Sequence, residues 1–261
     1  MQSAKTPSDP CVDAASMGSL IDNPRAGIVE IGVGRMTHTS QTLGRVPLFA
    51  SLDPKEVRAL DLRCIWRKVV AGEWVIDDQS DGAEVFFVIR GHVRVIIGIS
   101  GRDLIVRDIR DGEYFGEFSA IDGRPRSASI FAVANTLLAR MSAKVFREAI
   151  HSHSEVCDEV LTTLVAGMRA LNNRLNEQAH FNVCQRISAE MLRLARGSAN
   201  GRLVVSPPPT HAEFAARVGT QREPVTKFLN SLERDGVIAR RRGAIVLTDT
   251  ERLRKIVAEA R

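Results

Sequence analysis

Short hydrophobic runs separated by glycines dominate the chain between residues 73 and 141. The runs are rich in Val, Ile and Phe, and a glycine or a turn follows most of them. Short apolar segments with turn residues at such spacing are typical of a domain built from short strands. We expect strands at residues 73–76, 84–89, 92–97, 104–109, 127–133 and 136–141, and we interpret them as a β-roll.

A heptad pattern follows the predicted strands. Apolar residues stand alternately three and four positions apart, which is the spacing of a coiled-coil seam. Ser152 and Glu155 have the Ser-x-x-Glu form of a capping box, so we expect a helix over residues 155–180, roughly 39 Å long at about 1.5 Å per residue. The helix either pairs with a second copy or packs on its own domain. The seam residues are Leu161, Leu164, Met168, Leu171 and Leu175.

The C-terminal part of the chain has the form of a helix-turn-helix followed by a hairpin. Thr210 and Glu213 form a second capping box at the start of one helix. Gly219 permits a tight turn before the next helix, which begins near Thr220 or Gln221. We expect a preceding helix over residues 183–195, and strands at 237–240 and 244–247 that make a wing.

Polar side chains on one face of the second helix are suited to reading DNA bases. An arginine or lysine can donate to N7 and O6 of guanine, and a glutamate can accept from the N4 amino group of cytosine. Arginines in the wing are placed to neutralise phosphates. A protein-binding winged helix and a merely solvated wing are the alternatives. The predicted DNA contacts are Thr210, Gln221, Arg222, Glu223, Thr226, Lys227, Arg240, Arg241 and Arg242.

Charge is distributed unevenly along the chain. The 261 residues include 36 Lys and Arg against 31 Asp and Glu, a formal net charge of +5. Residues 182–261 alone hold 15 Lys and Arg against 8 Asp and Glu, so the remainder is mildly acidic. This asymmetry indicates a nucleic-acid-binding module attached to another domain, although a solvated basic surface is the alternative.

The length fits two domains and a tail. Residues 1–45 mix Ser, Thr, Gly, Asp and Pro, and we expect them to be mostly disordered. No apolar run approaches the roughly 20 residues of a membrane span, and no apolar signal core begins the chain, so we expect a cytoplasmic protein without membrane contact. The cysteines lack Cys-x-x-Cys spacing, which argues against a disulfide framework or a metal site.

Residues 115–129 carry the chemistry of a ligand site. Glu117 can accept a hydrogen bond from a sugar hydroxyl, and Arg126 can present its planar fork of donors to a phosphate. Ser127 adds a hydroxyl beside that fork. A short helical turn and a Gly-Arg-Pro turn separate the two charged groups, so both can face one pocket. We interpret the segment as a cyclic nucleotide sensor; a Glu and an Arg that pair without a ligand are the alternative.

Over about residues 46–248 these features resemble the Crp/Fnr family of bacterial transcription regulators, and residues 115–129 are similar to its phosphate-binding cassette. The resemblance implies that Glu117 holds the ribose 2'-hydroxyl and that Arg126 and Ser127 hold the cyclic phosphate. It also implies that the long helix forms a parallel homodimer seam and closes the pocket. The other residues assigned to the nucleotide on this basis are Gly116, Phe118, Ala128, Asn172 and Asn173.

The implied fold class is α+β, with an N-terminal jelly roll, a long dimerisation helix and a winged helix-turn-helix. The expected divisions are an N-terminal extension (1–45), a cyclic nucleotide-binding β-roll (46–151), the dimerisation helix (152–181) and the DNA-binding domain (182–261). We expect no enzymatic activity, because no nucleophile elbow occurs and the histidines make no metal spacing with a carboxylate.

The sequence departs from the family pattern at three points. Leu171 and Asn172 stand where cAMP-responsive members carry two hydroxyl residues, so the base preference stays open, and a solvated Asn172 is the alternative. Lys227 replaces an arginine and loses its bidentate fork. Cys11 is the single cysteine where oxygen-sensing members carry a cluster, so no iron–sulfur cluster is expected.

These features together predict a homodimeric transcription regulator. Its affinity for a palindromic operator would depend on a cyclic nucleotide, with cAMP as the expected allosteric ligand, and RNA polymerase is an expected partner. The alternatives are control by cGMP, no dependence on a nucleotide, and regulation of a protein partner instead of DNA.

Overall fold

The computed structural model describes residues 41–99, 102–198 and 201–259. The expected N-terminal extension lies outside these residues except for its C-terminal end, and there the prediction of disorder is wrong. Leu43–Arg45 forms a 3-10 turn, and Leu43 is fully buried. The Leu43 amide donates to Asp61 at 2.8 Å, so the β-roll domain begins before residue 46.

The predicted β-roll consists of two four-stranded antiparallel sheets. Its strands are β1 (Cys64–Val69), β2 (Trp74–Ile76), β3 (Val85–Arg90), β4 (His92–Ile99), β5 (Arg102–Arg110), β6 (Tyr114–Phe115), β7 (Ser129–Ala132) and β8 (Thr136–Met141). The orders are β1-β8-β3-β6 and β2-β7-β4-β5. All six predicted strands are present, and the sequence analysis missed β1 and β6.

Strand β3 forms the centre of the domain because both of its faces are buried. Phe87 packs with Phe49 and Phe146 on one side, with ring centroids 5.2 and 6.3 Å away. Phe86 and Val88 point to the other side, into the cluster between the sheets. Alternating side chains of one strand therefore supply two cores, and this explains why the run is continuously apolar.

Four helices accompany the sheets: α1 (Pro54–Asp61), α2 (Glu117–Asp122), α3 (Ala143–Ser152) and α4 (Ser154–His180). Helix α3 was not predicted, and the predicted capping box of Ser152 and Glu155 is wrong. Ser152 ends α3, and His153, whose backbone is extended, is the N-cap of α4 without a side-chain hydrogen bond. A single residue, His153, therefore separates α3 from α4, and no side-chain cap begins α4.

Helix α4 carries an exposed apolar stripe. Leu161, Met168, Leu171 and Leu175 are between 54% and 70% exposed, as an unpaired seam would be. Leu164 differs, because it packs against the core of the β-roll. Val165, which is 48% exposed, extends the stripe in its place. The dimer seam itself stays a prediction.

The C-terminal domain has the expected winged form. The Thr210 and Glu213 capping box is confirmed, since each side chain accepts from the other residue's amide, and Gly219 ends its helix with φ of 66°. None of the helices in the described residues combines the length and apolar character needed to cross a membrane. The elements are α5 (Val183–Leu194), β9 (Arg196–Gly197), β10 (Leu203–Val205), α6 (His211–Val218), α7 (Arg222–Arg234), β11 (Ile238–Arg241), β12 (Ala244–Leu247) and α8 (Thr250–Ala258).

Candidate nucleotide-binding and DNA-binding sites

Gly116 begins the cassette in a left-handed conformation, with φ of 86°, immediately before α2. A side chain is disfavoured in this conformation. It would also collide with its neighbours, because a Cβ would lie 2.7 Å from Arg126 Nη1 and 2.7 Å from the Glu84 carbonyl oxygen. Glycine is therefore required both for the turn into α2 and for the close approach of Arg126.

Arg126 is 4% exposed, and neighbouring oxygens fix its guanidinium. Nη1 donates to the Gly116 carbonyl at 3.0 Å, and Nη2 donates to the Glu84 carbonyl at 2.9 Å and to Glu84 Oε2 at 3.3 Å. Burial lowers the pKa of Arg126, an effect that Glu84 and Glu117 oppose. A phosphate bound here would compete with the Glu84 carboxylate, a residue that the sequence analysis did not single out.

Glu117 is the first residue of α2 and is 9% exposed. Burial raises its pKa, while its own amide, Arg107 and Arg126 favour the ionised form. A buried carboxylate is stabilised by a hydroxyl donor, which suits a sugar hydroxyl. Arg107 was also missed by the sequence analysis. It lies on β5, and its Nη2 donates to the Tyr114 carbonyl at 3.3 Å.

The remaining cassette residues differ in exposure. Ser127 is exposed, Ala128 is half-buried and Phe118 is 51% exposed. The fold therefore brings the buried Glu117 and Arg126 together beside the half-buried Gly116, and it leaves Ser127 at the surface next to Arg126. The exposed Phe118 ring lies outside that group.

A cavity of about 260 Å³ lies between the β4–β5 hairpin, α4 and the C-terminal domain. Ile97, Leu104, Val106, Leu171 and Leu175 form its apolar wall. Leu171, the residue that departs from the family pattern, therefore faces the sensor. Asn172 and Asn173 are exposed on α4.

The recognition face of α7 is exposed as predicted, with one exception. Gln221, Arg222, Glu223 and Lys227 are exposed, and Glu223 Oε1 is 2.7 Å from Lys227 Nζ. Thr226 is half-buried, and its hydroxyl donates to the Arg222 carbonyl at 3.0 Å. This hydroxyl is engaged within the domain, and the DNA contact of Thr226 stays a prediction.

His211 links the two helices of the motif, which the sequence analysis did not foresee. Its Nδ1 is 2.7 Å from Thr226 Oγ1. Burial, together with Arg240 and Arg222, lowers the pKa of His211 and favours the neutral ring. Thr210, which caps α6, lines the same surface depression as His211 and Arg222.

One of the three wing arginines is engaged by α7. Arg240 Nη2 donates to Asn230 at 2.9 Å, and Arg240 Nη1 is 3.1 Å from Glu233 Oε2. Arg240 therefore joins the wing to α7, and its contact with a phosphate stays a prediction. Arg241 and Arg242 are exposed at the tip. In the described parts of the chain, no group of three or more His, Cys, Asp and Glu residues could hold a metal ion.

Two family models match the chain in the order of its domains. The model described as "Cyclic nucleotide-binding domain" matches residues 66–153, and the "Crp-like helix-turn-helix domain" matches residues 185–256. Together they cover more than half of the sequence. The first match contains the whole cassette, and the second contains the helix-turn-helix and the wing.

Similar proteins match over nearly their whole length. A CRP-like cAMP-activated global transcriptional regulator of Mycobacterium tuberculosis is 26% identical over 82% of this chain and 97% of its own. A cyclic AMP receptor protein of Thermus thermophilus is 28% identical over 80% of this chain and 96% of its own. A solved CRP/FNR family regulator from Thermus thermophilus is 26% identical, with a TM-score of 0.61 over 74% of this chain and 98% of that one.

The matches agree with the geometry of the two sites. A buried carboxylate and guanidinium lie in the domain that matches the nucleotide-binding model, and an exposed polar helix lies in the domain that matches the DNA-binding model. The Mycobacterium relative and the solved Thermus protein are named transcriptional regulators, and the other Thermus relative is named a cyclic AMP receptor protein. The chain belongs to the Crp/Fnr family of cyclic nucleotide-binding transcription regulators.

Proposed function

We propose that this chain is a homodimeric regulator whose affinity for a palindromic operator depends on cAMP. The buried Glu117 and Arg126, brought together beside Gly116, are the observation that carries the proposal. A fixed guanidinium beside a buried carboxylate matches the phosphate and the hydroxyl of a ribose cyclic phosphate. The names of the Mycobacterium and Thermus relatives support cAMP as the ligand.

Binding would exchange one partner of Arg126 for another. The phosphate would accept from Arg126 and from the exposed Ser127, and the Glu84 carboxylate would be displaced. Glu84 is 38% exposed, and its Oε1 is 3.7 Å from Arg140 Nη1, so displacement leaves it hydrated and near a cation. The exchange therefore leaves no buried charge without a partner, and so avoids a large cost in free energy.

The base would be recognised from α4. Leu171 offers only an apolar surface to the cavity beside the β4–β5 hairpin. The amides of Asn172 and Asn173 each provide donors and an acceptor, and so can meet the edge of adenine or of guanine. A direct titration is therefore needed to determine whether the protein prefers cAMP or cGMP.

The exposed stripe of α4 supports a parallel pair of these helices in the dimer. The two α7 helices would then enter successive major grooves about 34 Å apart. Arg222, Glu223 and Lys227 would contact base edges, with Arg241 and Arg242 on phosphates. We propose RNA polymerase as a further partner and the cytoplasm as the place of action, because the operator DNA lies there.

Calorimetric titration of the purified protein with cAMP and with cGMP tests the ligand. We expect tighter binding of cAMP. Binding of cGMP alone would replace the proposed ligand, and binding of neither would contradict nucleotide control. Selection from random DNA duplexes tests the output separately. We expect a palindrome, whereas a selection without any enriched sequence would favour regulation of a protein partner.

A further inference from the structure

Charged side chains fill the contact between the sensor and the DNA-binding domain. Arg94 on β4 and Asp108 on β5 face Glu213 and Arg217 on α6. The side chains of Arg94, Asp108 and Arg217 are 10%, 12% and 3% exposed. Glu190 of α5, which is 2% exposed, adds a further carboxylate. We call these residues the interdomain ion cluster.

Each member of the cluster contacts more than one partner. Asp108 Oδ1 accepts from Arg94 at 2.8 Å, and its Oδ2 accepts from Arg217 at 2.5 Å. Arg217 Nη1 is also 3.5 Å from Glu190 Oε1. Arg94 also pairs with Glu213. Burial alone disfavours the charged form of Asp108, but His92, Arg94 and Arg217 outweigh it and hold the pKa of Asp108 well below its usual range.

A buried ion pair fixes geometry more than it adds stability. The attraction between the charges is largely offset by the loss of their hydration, so water can replace the contact at little net cost if both sides separate together. Removing one partner alone leaves a buried charge without compensation. Such a contact holds two domains in one defined arrangement and still allows them to part, which is the behaviour that a reversible switch needs.

Strand β5 connects this cluster to the cassette. Neighbouring residues on a strand point to opposite faces. Arg107 points to the cassette side, where it donates to the Tyr114 carbonyl and its charge acts on Glu117. Asp108, the next residue, points to α6. A ligand that moves Arg107 therefore acts on the strand that supplies Asp108 to the cluster.

Glu213 carries the connection to the DNA-binding surface. One oxygen of its carboxylate accepts from Arg94, and the other accepts from the Thr210 amide at 2.7 Å. The sensor arginine and the cap of α6 thus share one carboxylate. In the same structure Arg126 is held by Glu84, the partner that a phosphate would displace. The docked domains and the Arg126–Glu84 contact, which a phosphate would displace, therefore occur together in one structure.

We propose that the interdomain ion cluster is a latch that holds the DNA-binding domain against the sensor in an arrangement of low DNA affinity. The proposal rests on the proposed function, because nucleotide binding would open the latch through β5. Only a difference in affinity between the latched and open states lets a ligand shift the balance.

The test is the substitution Arg94→Gln. Arg94 lies on β4 of the sensor, outside the residues proposed to contact DNA. For the nucleotide-free protein we expect Arg94→Gln to bind a fixed operator duplex about tenfold more tightly, within the usual size of an allosteric coupling. Affinity in the presence of saturating cAMP should stay within about twofold of the unaltered protein. Glu148→Gln is the matched control, since it removes an exposed ion pair with Arg63 at 2.5 Å within the sensor. It should change neither affinity.

Glu213→Gln supplies the second half of a double-mutant cycle. A glutamine can still accept from the Thr210 amide, so the capping box is retained while the charge facing Arg94 is lost. The double variant should bind no more tightly than either single variant, because each opens the same contact. Small-angle X-ray scattering of nucleotide-free Arg94→Gln should show a larger radius of gyration.

Three results would overturn the latch: an unchanged DNA affinity of the nucleotide-free variants, additive effects in the cycle, or equal weakening with and without cAMP. Equal weakening would identify a merely structural contact. Failure of the proposed ligand is distinguishable. It would appear as absent cAMP binding in calorimetry, while the nucleotide-free variants would still bind DNA more tightly and scatter as larger particles.

Discussion

The cassette and helix α7 both hold basic and acidic side chains in one group, but in opposite environments. Arg126 and Glu117 are almost completely buried, whereas Arg222, Glu223 and Lys227 are exposed. In the cassette, folding already supplies the free energy needed to remove these charges from water. The geometry of the cassette is therefore fixed before a ligand binds. On the helix the cost of removing charge from water arises only when DNA binds. Substitutions in the cassette should therefore reduce ligand affinity strongly, with little dependence on salt. Substitutions on the helix should change DNA affinity by smaller amounts that depend on the position.

Arg126→Leu should produce the largest effect. Two charge-assisted hydrogen bonds to the phosphate are lost, so we expect cAMP affinity to fall at least about 100-fold in calorimetry. The protein should still sediment as the same oligomer, because Glu84 remains partly hydrated and close to Arg140. Arg140→Gln is the control, since it removes the other cation beside Glu84 and should leave cAMP binding nearly intact. Full cAMP affinity of Arg126→Leu would refute the cassette assignment.

Gly116→Ala should have the next largest effect, with cAMP affinity reduced about 10-fold to 100-fold. The added Cβ meets Arg126 Nη1 and the Glu84 carbonyl, and must displace the guanidinium. Gly123→Ala separates this collision from backbone strain. Gly123 has φ of 72°, and a Cβ there would meet nothing within 4 Å. Equal losses of cAMP affinity in the two variants would show that strain alone is responsible.

Glu223→Ala tests the exposed side of the comparison. We expect the preference at one operator base pair to relax by about 1–3 kcal/mol, while affinity for non-specific DNA and the dependence on salt stay nearly constant. Binding to operators with each base pair substituted in turn measures this. Glu251→Ala removes an exposed carboxylate from α8 and is the matched control. Uniform change across all sequences would mean that Glu223 does not contact a base.

Glu84→Gln should give the smallest change, and in the opposite direction. The neutral amide holds Arg126 less strongly than the carboxylate does, so cAMP should bind a few-fold more tightly. The same calorimetric titration detects this gain. A marked loss of affinity would instead show that Glu84 positions Arg126 for the phosphate and does not compete with it.

Local patterns predicted the elements that local forces control. The Thr210 and Glu213 capping box, the turn at Gly219 and the six predicted strands of the β-roll depend on neighbouring residues, and all are present. The boundary between α3 and α4 could not be predicted from local patterns. Ser152 has the spacing of a cap, yet packing of α3 on the sensor extends that helix to Ser152.

Contacts between distant residues account for most of what the sequence analysis missed. Glu84 reaches Arg126 from 42 positions away, and Leu164 turns inward because the core of the β-roll lies beneath it. Thr226 was placed on the outer face of α7 by helical spacing, but His211 from α6 engages it. No local signal marks these residues, because each partnership depends on the tertiary fold.

The attachment of Arg240 to Asn230 and Glu233 has a practical consequence for altering operator specificity. The hairpin and α7 are joined by side chains near the C-terminal half of the helix, whereas the proposed base contacts lie in its first two turns. Replacement of only the first two turns of α7 would preserve the contacts of Arg240 with Asn230 and Glu233. Replacement of all of α7 by the helix of another regulator would remove the partners of Arg240, and with them the contact that holds the hairpin on α7.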